Sequence, residues 1–346
     1  MQRCLKLALS GAGKVAPNPM VGAVLVYNGN IIGEGYHQQF GEAHAEVNCI
    51  KSVSEHNKAL ISKSTLYVSL EPCAHFGKTP PCAEFIVTQK IPRVVIGCRD
   101  SYKEVAGKGI AKLLAAGIEV ITGILEAEAK EINKRFFTFH QLARPYIILK
   151  WAQSNDHKIA HADFSSVMIS GDITSRLVHK WRSEEAAIMI GTNTALHDNP
   201  MLNTRLWPGK NPIRVVIDKN LQLTASSNLL LPGKGSTIIF NNKKDEEIDG
   251  VIYKKIDPSQ AALPQILQQL YGQNINSVLV EGGAKLLQSF IDAGVWDEVR
   301  VITNEQLTIG DGIAAPVLKN EALIKTAKPG TDLIQYFKPL STQLSH

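Results

Sequence analysis

Along the first 140 residues the apolar positions recur with two different periods. "VGAVLV" and "IIGEGYH" are β-rich runs on either side of Asn28-Gly29, and an Asn-Gly pair between such runs predicts a type I′ hairpin. A helical pattern covers about 44–53. It is followed by the strand "STLYVSL", a helix from Pro81, the strand "RVVIGC", a helix near 110–116, the strand "IEVITG" and one charged helix from Glu126 to about Gln141. Strands separated by helices require parallel crossovers, so this half predicts a layered α/β sheet.

"ARPYIILKWAQS" opens a second α/β pattern, and the Arg-Pro step after a long helix marks a boundary because the residue before proline leaves the helical region. The expected domains are 1–143 and 144–346. The second contains the strands "AAIMIG", "PIRVVID", "STIIF", "SVLVEGG" and "DEVRVIT", with helices over about 263–271 and 284–293. "NNKKDEEIDG" reads as a solvated turn, and no internal repeat is visible.

A chain of 346 residues that is 44% hydrophobic can bury two cores. Five cysteines are too sparse, and odd in number, for a disulfide framework, which points to a reducing compartment. "MQRCLKLALSGAGK" has no apolar run long enough for a signal peptide and reads as an amphipathic helix stopped at Gly11; the expected location is the cytoplasm. The net charge of +5 is spread along the chain without a basic run, which disfavours a nucleic-acid tail and suits phosphorylated small substrates.

With a disulfide framework disfavoured, Cys73 and Cys82 need another partner. His44 at the start of a predicted helix, with Cys73 and Cys82, is a suitable ligand set for Zn²⁺ that leaves the fourth tetrahedral position to a water. Residues two apart lie roughly 200° apart around a helix, so His44 and Glu46 address one centre only where the chain is still entering the helix. There Glu46 is placed to take a proton from the water and return it to the substrate nitrogen. Pro80-Pro81 puts Cys82 in a first helical turn, where a thiolate is stabilised. His-x-Glu followed by Pro-Cys and a second Cys is the signature of zinc nucleobase deaminases.

The eight residues between the cysteines exceed the two of the simplest deaminases. "EPCAHFGKTPPC", together with "PNPMVGAVLV" and "GEGYHQQFGEAHAE", resembles the deaminase half of the bifunctional riboflavin-biosynthesis deaminase-reductases, and the resemblance extends over nearly the whole chain. It implies a cytidine-deaminase-like three-layer α/β/α domain followed by a dihydrofolate-reductase-like α/β domain that uses NADPH. It also implies substrate contacts from Asn18, His75 and Lys78, and a homodimer formed through the reductase half.

The second half lacks a G-x-G-x-x-G fingerprint, which disfavours a Rossmann domain. Glu281-Gly282-Gly283 instead closes an apolar strand before a helix, a turn at which backbone N–H groups can approach a phosphate. Arg182 and Arg205 are candidates for gripping a phosphate by fork contacts. Lys219, after "PIRVVID", suits a 2′-phosphate, whereas Asp218 would favour a bare ribose if it faced the site. The resemblance implies that Ser166, Arg182, Leu202, Arg205 and Glu281 contact the sugar phosphate. It places the cofactor against Ala152, Met168, Thr194, Asp198, Lys219 and the turn from Gly283. Asp198 and Lys150 are the candidate acids for the reduction.

Two positions depart from the family pattern. His157 stands where Ser-x-Asp-Gly usually has its glycine, and Asn199 replaces the second acid of Asp-Asp-Pro. A competing reading is a nucleic-acid base deaminase of the tRNA-adenosine type with an appended binding domain; 6% aromatic residues and the lack of a basic stripe count against it.

Overall fold

A computed structural model describes residues 1–74, 80–100, 106–165, 167–233 and 235–340. The chain divides into two compact units, Met1–Ala143 and Arg144–His346.

The first unit runs α1 (Gln2–Leu9), β1 (Gly22–Tyr27), β2 (Asn30–Tyr36), α2 (Ala45–Lys51), a 3-10 segment (Glu55–Lys63), β3 (Thr65–Leu70), α3 (Cys82–Thr88) and β4 (Arg93–Cys98). It ends with α4 (Lys108–Ala115), β5 (Glu119–Thr122), α5 (Glu126–Ile132) and α6 (Lys134–Leu142). Among the described residues its sheet has the order β2-β1-β3-β4-β5. β1 is antiparallel to both neighbours, and β3, β4 and β5 are parallel. Asn28 and Gly29 join β1 to β2 with φ of +47° and +77°, the left-handed pair a type I′ turn needs. Ala23, Leu25, Leu66, Val68, Val94 and Ile96 pack against α2, α3 and α4; Leu5, Ala129, Phe136 and Phe137 of α1, α5 and α6 form a second cluster with Leu70 and Cys98. The result is the three-layer α/β/α arrangement of the cytidine deaminases.

The charged helix expected over 126–141 is two helices. Asn133, buried at their junction, donates to the Met20 carbonyl at 2.9 Å and accepts from the Met20 N–H at 2.8 Å. A side chain committed to a distant backbone bends the chain where the polar pattern alone reads as continuous.

The second unit comprises β6 (Tyr146–Ser154), β7 (Lys158–His161), α7 (Asp172–Glu184), β8 (Ala187–Gly191), α8 (Thr192–Asp198), β9 (Ile213–Ile217), β10 (Thr237–Asn241), β11 (Glu246–Ile248) and β12 (Val251–Lys255). These are followed by α9 (Ala262–Gly272), β13 (Ser277–Val280), α10 (Ala284–Asp292), β14 (Glu298–Asn304), β15 (Gly312–Ala314), β16 (Glu321–Ala327) and β17 (Asp332–Pro339). Its main sheet has the order β11-β12-β10-β9-β8-β13-β6-β14-β17-β16 among the described residues, parallel from β12 to β14 and antiparallel at both edges. β6, near the centre, is buried on both faces: Ile147, Leu149 and Trp151 enter one cluster, Tyr146 and Ile148 the other.

"NNKKDEEIDG" is not only a turn. Glu246–Ile248 is an exposed edge strand joined to β12 through Asp249-Gly250, both with positive φ, and that Asp-Gly pair is the hairpin signal the charge run hides. β7 and β15 to β17 were not anticipated; β16 is a mostly exposed edge strand with little apolar alternation to mark it. Among the described residues no helix is long and apolar enough to cross a membrane.

Candidate active sites

In the first unit, three element ends meet. His44 is the N-cap of α2, with extended φ and ψ of −73° and 168°, and Glu46 lies in the helix's first turn. The non-helical backbone at His44 lets both side chains turn to one point. Cys73 follows the C-terminal end of β3, and Cys82 is the first residue of α3. Pro81 is therefore the cap residue, one place earlier than the expected first-turn position.

The His44, Cys73 and Cys82 donor atoms all lie within 4.8 Å of one another. His44 Nδ1 is 3.2 Å from Cys82 Sγ and 3.5 Å from Cys73 Sγ. Cys73 Sγ also accepts the Cys82 backbone N–H at 3.3 Å. The Cys73 thiol is held well below its ordinary pKa, first by the hydrogen bond from Cys82 and then by His44, while Cys82 keeps its proton because Cys73 and burial push it up. One sulfur thus ionises readily, and a divalent cation displaces the proton from the other. One imidazole and two thiolates at these separations fit Zn²⁺ and leave a coordination position open.

Glu46 is buried, and burial, then the charge at Cys73, raises its pKa. Such a carboxyl suits a proton shuttle. Asn18 is also near: its Nδ2 is 3.1 Å from Nε2 of His37, whose ring lies edge-on to His44 at 5.3 Å. The His37 Nδ1 lies 3.1 Å from the Ala43 carbonyl, and burial lowers the pKa of the ring. His37 was missed in the sequence because nothing but its place at the end of β2 marks it. His75 and Lys78 lie outside the described residues.

In the second unit a cleft of about 1300 Å³ gathers Lys150, Ala152, Met168, Arg182, Thr194, Asp198, Arg205, Lys219, Glu281 and Gly283. Glu281 follows β13, next to Lys150 of the adjacent β6, because Val280 is in register with Leu149. Arg182, in the last turn of α7, donates to both Glu281 oxygens at 2.9 and 2.7 Å, and Lys150 Nζ lies 3.7 Å from the same carboxylate. The expected free fork of Arg182 is thus engaged within the protein. Burial alone would raise Glu281; the charges of Arg182 and Lys150 outweigh it and hold the group at about 2. Lys150 is lowered, chiefly by burial and also by Arg182. Asp198, the other candidate acid, sits exposed at the end of α8.

The turn into α10 explains its glycines. A Cβ on Gly282 would come within 2.7 Å of Ile190 Cβ, and Gly283 caps the helix at a φ of +53°. Lys219 lines the cleft, whereas Asp218 is buried and accepts the Leu223 N–H at 3.0 Å. The acidic residue that would have favoured a bare ribose is turned away. These features fit a phosphorylated dinucleotide.

Leu202 is not among the lining residues: it is buried in the cluster around Ile188 and Val216, with φ of +51°. Ser166 lies outside the described residues. His157 adopts the left-handed conformation, φ +57°, expected of a glycine position, and Asn199 does so at +38° while its Oδ1 accepts the Asn228 N–H. His179, one turn before Arg182, also lines the cleft; the i, i+3 spacing on α7 was the available signal for it.

Residues 1–98 match the family model of the cytidine and deoxycytidylate deaminase zinc-binding region, and residues 145–326 that of the RibD C-terminal domain. The chain is 38% identical to the riboflavin biosynthesis protein RibD of Aquifex aeolicus, over 98% of this chain and 97% of that one. It is 39% identical to the Bacillus amyloliquefaciens protein of the same name over 93% and 87%. Among solved structures it resembles a Thermotoga maritima diaminohydroxyphosphoribosylaminopyrimidine deaminase/5-amino-6-(5-phosphoribosylamino)uracil reductase, with a TM-score of 0.89, 36% identity and coverage of 98% and 97%. Acinetobacter baumannii RibD gives 0.88 at 32% identity, with the same coverage. A zinc-type deaminase site and a reductase cleft on one chain, matched along nearly its full length, make this protein a member of the RibD family of bifunctional riboflavin-biosynthesis deaminase-reductases.

Proposed function

We propose that residues 1–143 carry the zinc-dependent deamination of 2,5-diamino-6-ribosylamino-4(3H)-pyrimidinone 5′-phosphate and residues 144–346 the NADPH-dependent reduction of its ribosyl group to ribityl. The observation that carries this reading is the convergence of His44, Cys73 and Cys82 beside a buried Glu46.

His44, Cys73 and Cys82 would hold the zinc, which when bound would supply a water activated as the nucleophile. Glu46 accepts the proton of the attacking water and delivers it to the departing amino group, which leaves as ammonia while the ring carbon gains oxygen. Asn18, steadied by His37, binds the base or the sugar. The inserted loop bearing His75 and Lys78 is the proposed phosphate clasp.

For the second step the cleft of the second unit would hold NADPH, which when bound would supply the hydride for C1′ of the ring-opened imine. Thr194, Lys219 and the turn at Gly283 hold the dinucleotide, while Arg205 and the Arg182–Glu281 pair hold the sugar phosphate. A proton must also reach the amine nitrogen. Both candidates line the cleft: burial loosens the Lys150 proton, and burial raises the pKa of Asp198, which so keeps a proton to higher pH; Lys150, the more enclosed of the two, is the proposed donor. The tRNA-type alternative is not favoured, because both halves align with RibD.

The chain is proposed to act in the cytoplasm as a homodimer on this small molecule and not on nucleic acid. The test is mass spectrometry of the product from the zinc-loaded protein, with and without NADPH. Exchange of NH for O without NADPH, and a further gain of two hydrogens only with it, is the expected result. Loss of the first shift with zinc bound would reject the substrate; loss of the second alone would trace the fault to His157 or Asn199.

A further inference from the structure

Directly before the Pro72-Cys73 pair, Glu71 is a buried carboxylate that stands apart from the His44, Cys73 and Cys82 cluster. Its two oxygens accept four backbone N–H groups from the far side of the site. Oε2 accepts from Asp100 at 3.2 Å and Gly107 at 3.1 Å, and Oε1 from Gly109 at 3.0 Å and Ile110 at 3.2 Å. Gly107 is the N-cap of α4, so Glu71, just past the end of β3, supplies the cap that α4 lacks from its own sequence.

The helix is pressed against the segment it caps. A Cβ on Gly109 would stand 1.9 Å from the Pro72 carbonyl oxygen, a distance no side chain tolerates. The Glu71 N–H donates to the Cys98 carbonyl at 3.0 Å, fixing the same residue to β4. Cys73 is gripped from the other side by α3, whose Ala83 N–H donates to the Cys73 carbonyl at 3.1 Å and whose Cys82 N–H donates to its sulfur. Residues 71–73 therefore run between two helix N-termini, and Glu71 sets their distance from α4.

We propose that Glu71 is a positioning residue for the zinc centre: through Pro72 it fixes where Cys73 presents its thiolate. This rests on the zinc reading of the first unit. The chemistry demands a carboxylate. Four converging donors need an acceptor at both oxygens, and a glutamine would turn an NH₂ group toward two of them.

The test is Glu71→Gln in the full zinc-loaded chain. Groups behind a metal ligand typically alter affinity or activity by 10–100-fold, so zinc retention against dipicolinate and the kcat for ammonia release are each expected to fall about tenfold, with KM unchanged. The visible spectrum of the cobalt-substituted chain shifts, while NADPH oxidation by the second unit, started from the deaminated ribotide, serves as the control and stays at the wild-type rate. A lower melting temperature with unaltered zinc retention, cobalt spectrum and ammonia release would overturn the proposal and leave Glu71 a structural cap. Should the variant not fold, the wild-type chain still decides. Coupling is reciprocal, so stripping zinc must speed amide exchange at Gly109 and Ile110; exchange insensitive to zinc overturns the proposal. A wild-type chain that retained no zinc would overturn both this inference and the function on which it rests, whereas normal wild-type zinc and deamination with an indifferent Glu71→Gln would overturn only the inference.

Discussion

The two sites are built on opposite plans. In the first unit a few side chains at the ends of α2, β3 and α3 meet within a few ångströms, and each bears chemistry that few other residues supply. In the second, a cleft of about 1300 Å³ is lined from β6, α7, α8, the end of β9, α10 and the loops between them, and its polar core is an ion triad of Lys150, Glu281 and Arg182. A compact site concentrates its function in single atoms. A wide one distributes it, so individual losses there show as binding or stability more than as abolished chemistry.

The sharpest test of that contrast is Glu46→Gln. Removing a general acid-base group costs typically 10²–10⁴-fold, so ammonia release should drop about a thousandfold. Zinc content, measured by inductively coupled plasma mass spectrometry, and NADPH oxidation with the deaminated ribotide supplied should stay at wild-type levels. Retained deamination would move the proton shuttle elsewhere.

Glu281→Gln probes the other plan. It leaves the nearly buried Arg182 and Lys150 without their counter-charge, and breaking a buried pair costs roughly 3–5 kcal/mol. Thermal unfolding of the second unit should shift accordingly, with KM for the sugar phosphate raised and ammonia release preserved. An unchanged melting curve would mean that the triad is not a unit.

The same contrast governed what the sequence disclosed. His44, Cys73 and Cys82 alone would read as core residues; they were legible as a site because Glu46 stands two after the His, Pro72 precedes the Cys, and each sits at an element end. The Lys150–Glu281 contact spans 131 residues and depends on β13 lying beside β6, a strand order that periodicity does not encode. Arg182 was legible as a cation but not as one already paired. Leu202 was assigned to the substrate by resemblance, whereas its apolar side chain packs into the core. The break at Asn133 escaped notice because its cause, Met20, is 113 residues away.

His179 offers an effect of intermediate size. Burial first, and then the charges of Arg182 and Arg205, push its pKa from 6.5 down to about 4. Above pH 6.5 the ring is neutral in both folded and unfolded chains, so it adds no pH dependence. As the pH falls below 6.5 the unfolded chain takes up a proton that the folded one refuses, and stability declines until about pH 4. The loss should reach roughly 2 kcal/mol at pH 5. Chemical denaturation of wild type and His179→Gln at pH 7 and pH 5 checks this: the variant should show the smaller decline. Equal declines would put the titration elsewhere.

The smallest expected effect is the most diagnostic of a distributed site. Lys219 follows β9 and lines the cleft, and the neighbouring Asp218 is withdrawn to accept the Leu223 N–H. If Lys219 holds the 2′-phosphate, Lys219→Ala removes one charge-assisted contact, worth about 1.5 kcal/mol, so KM for NADPH should rise roughly tenfold. KM for NADH, which lacks that phosphate, should not change, and kcat with NADPH should remain near wild type. The preference between the two cofactors would then narrow without loss of the reaction. A parallel rise for both would show that Lys219 acts on the shared part of the dinucleotide, and no rise for either would return it to solvent. Because Asp218 is turned inward, conferring NADH preference by further substitution would require an acid at another position on the cleft wall, and that is where the comparison between the compact and the distributed site would next be tested.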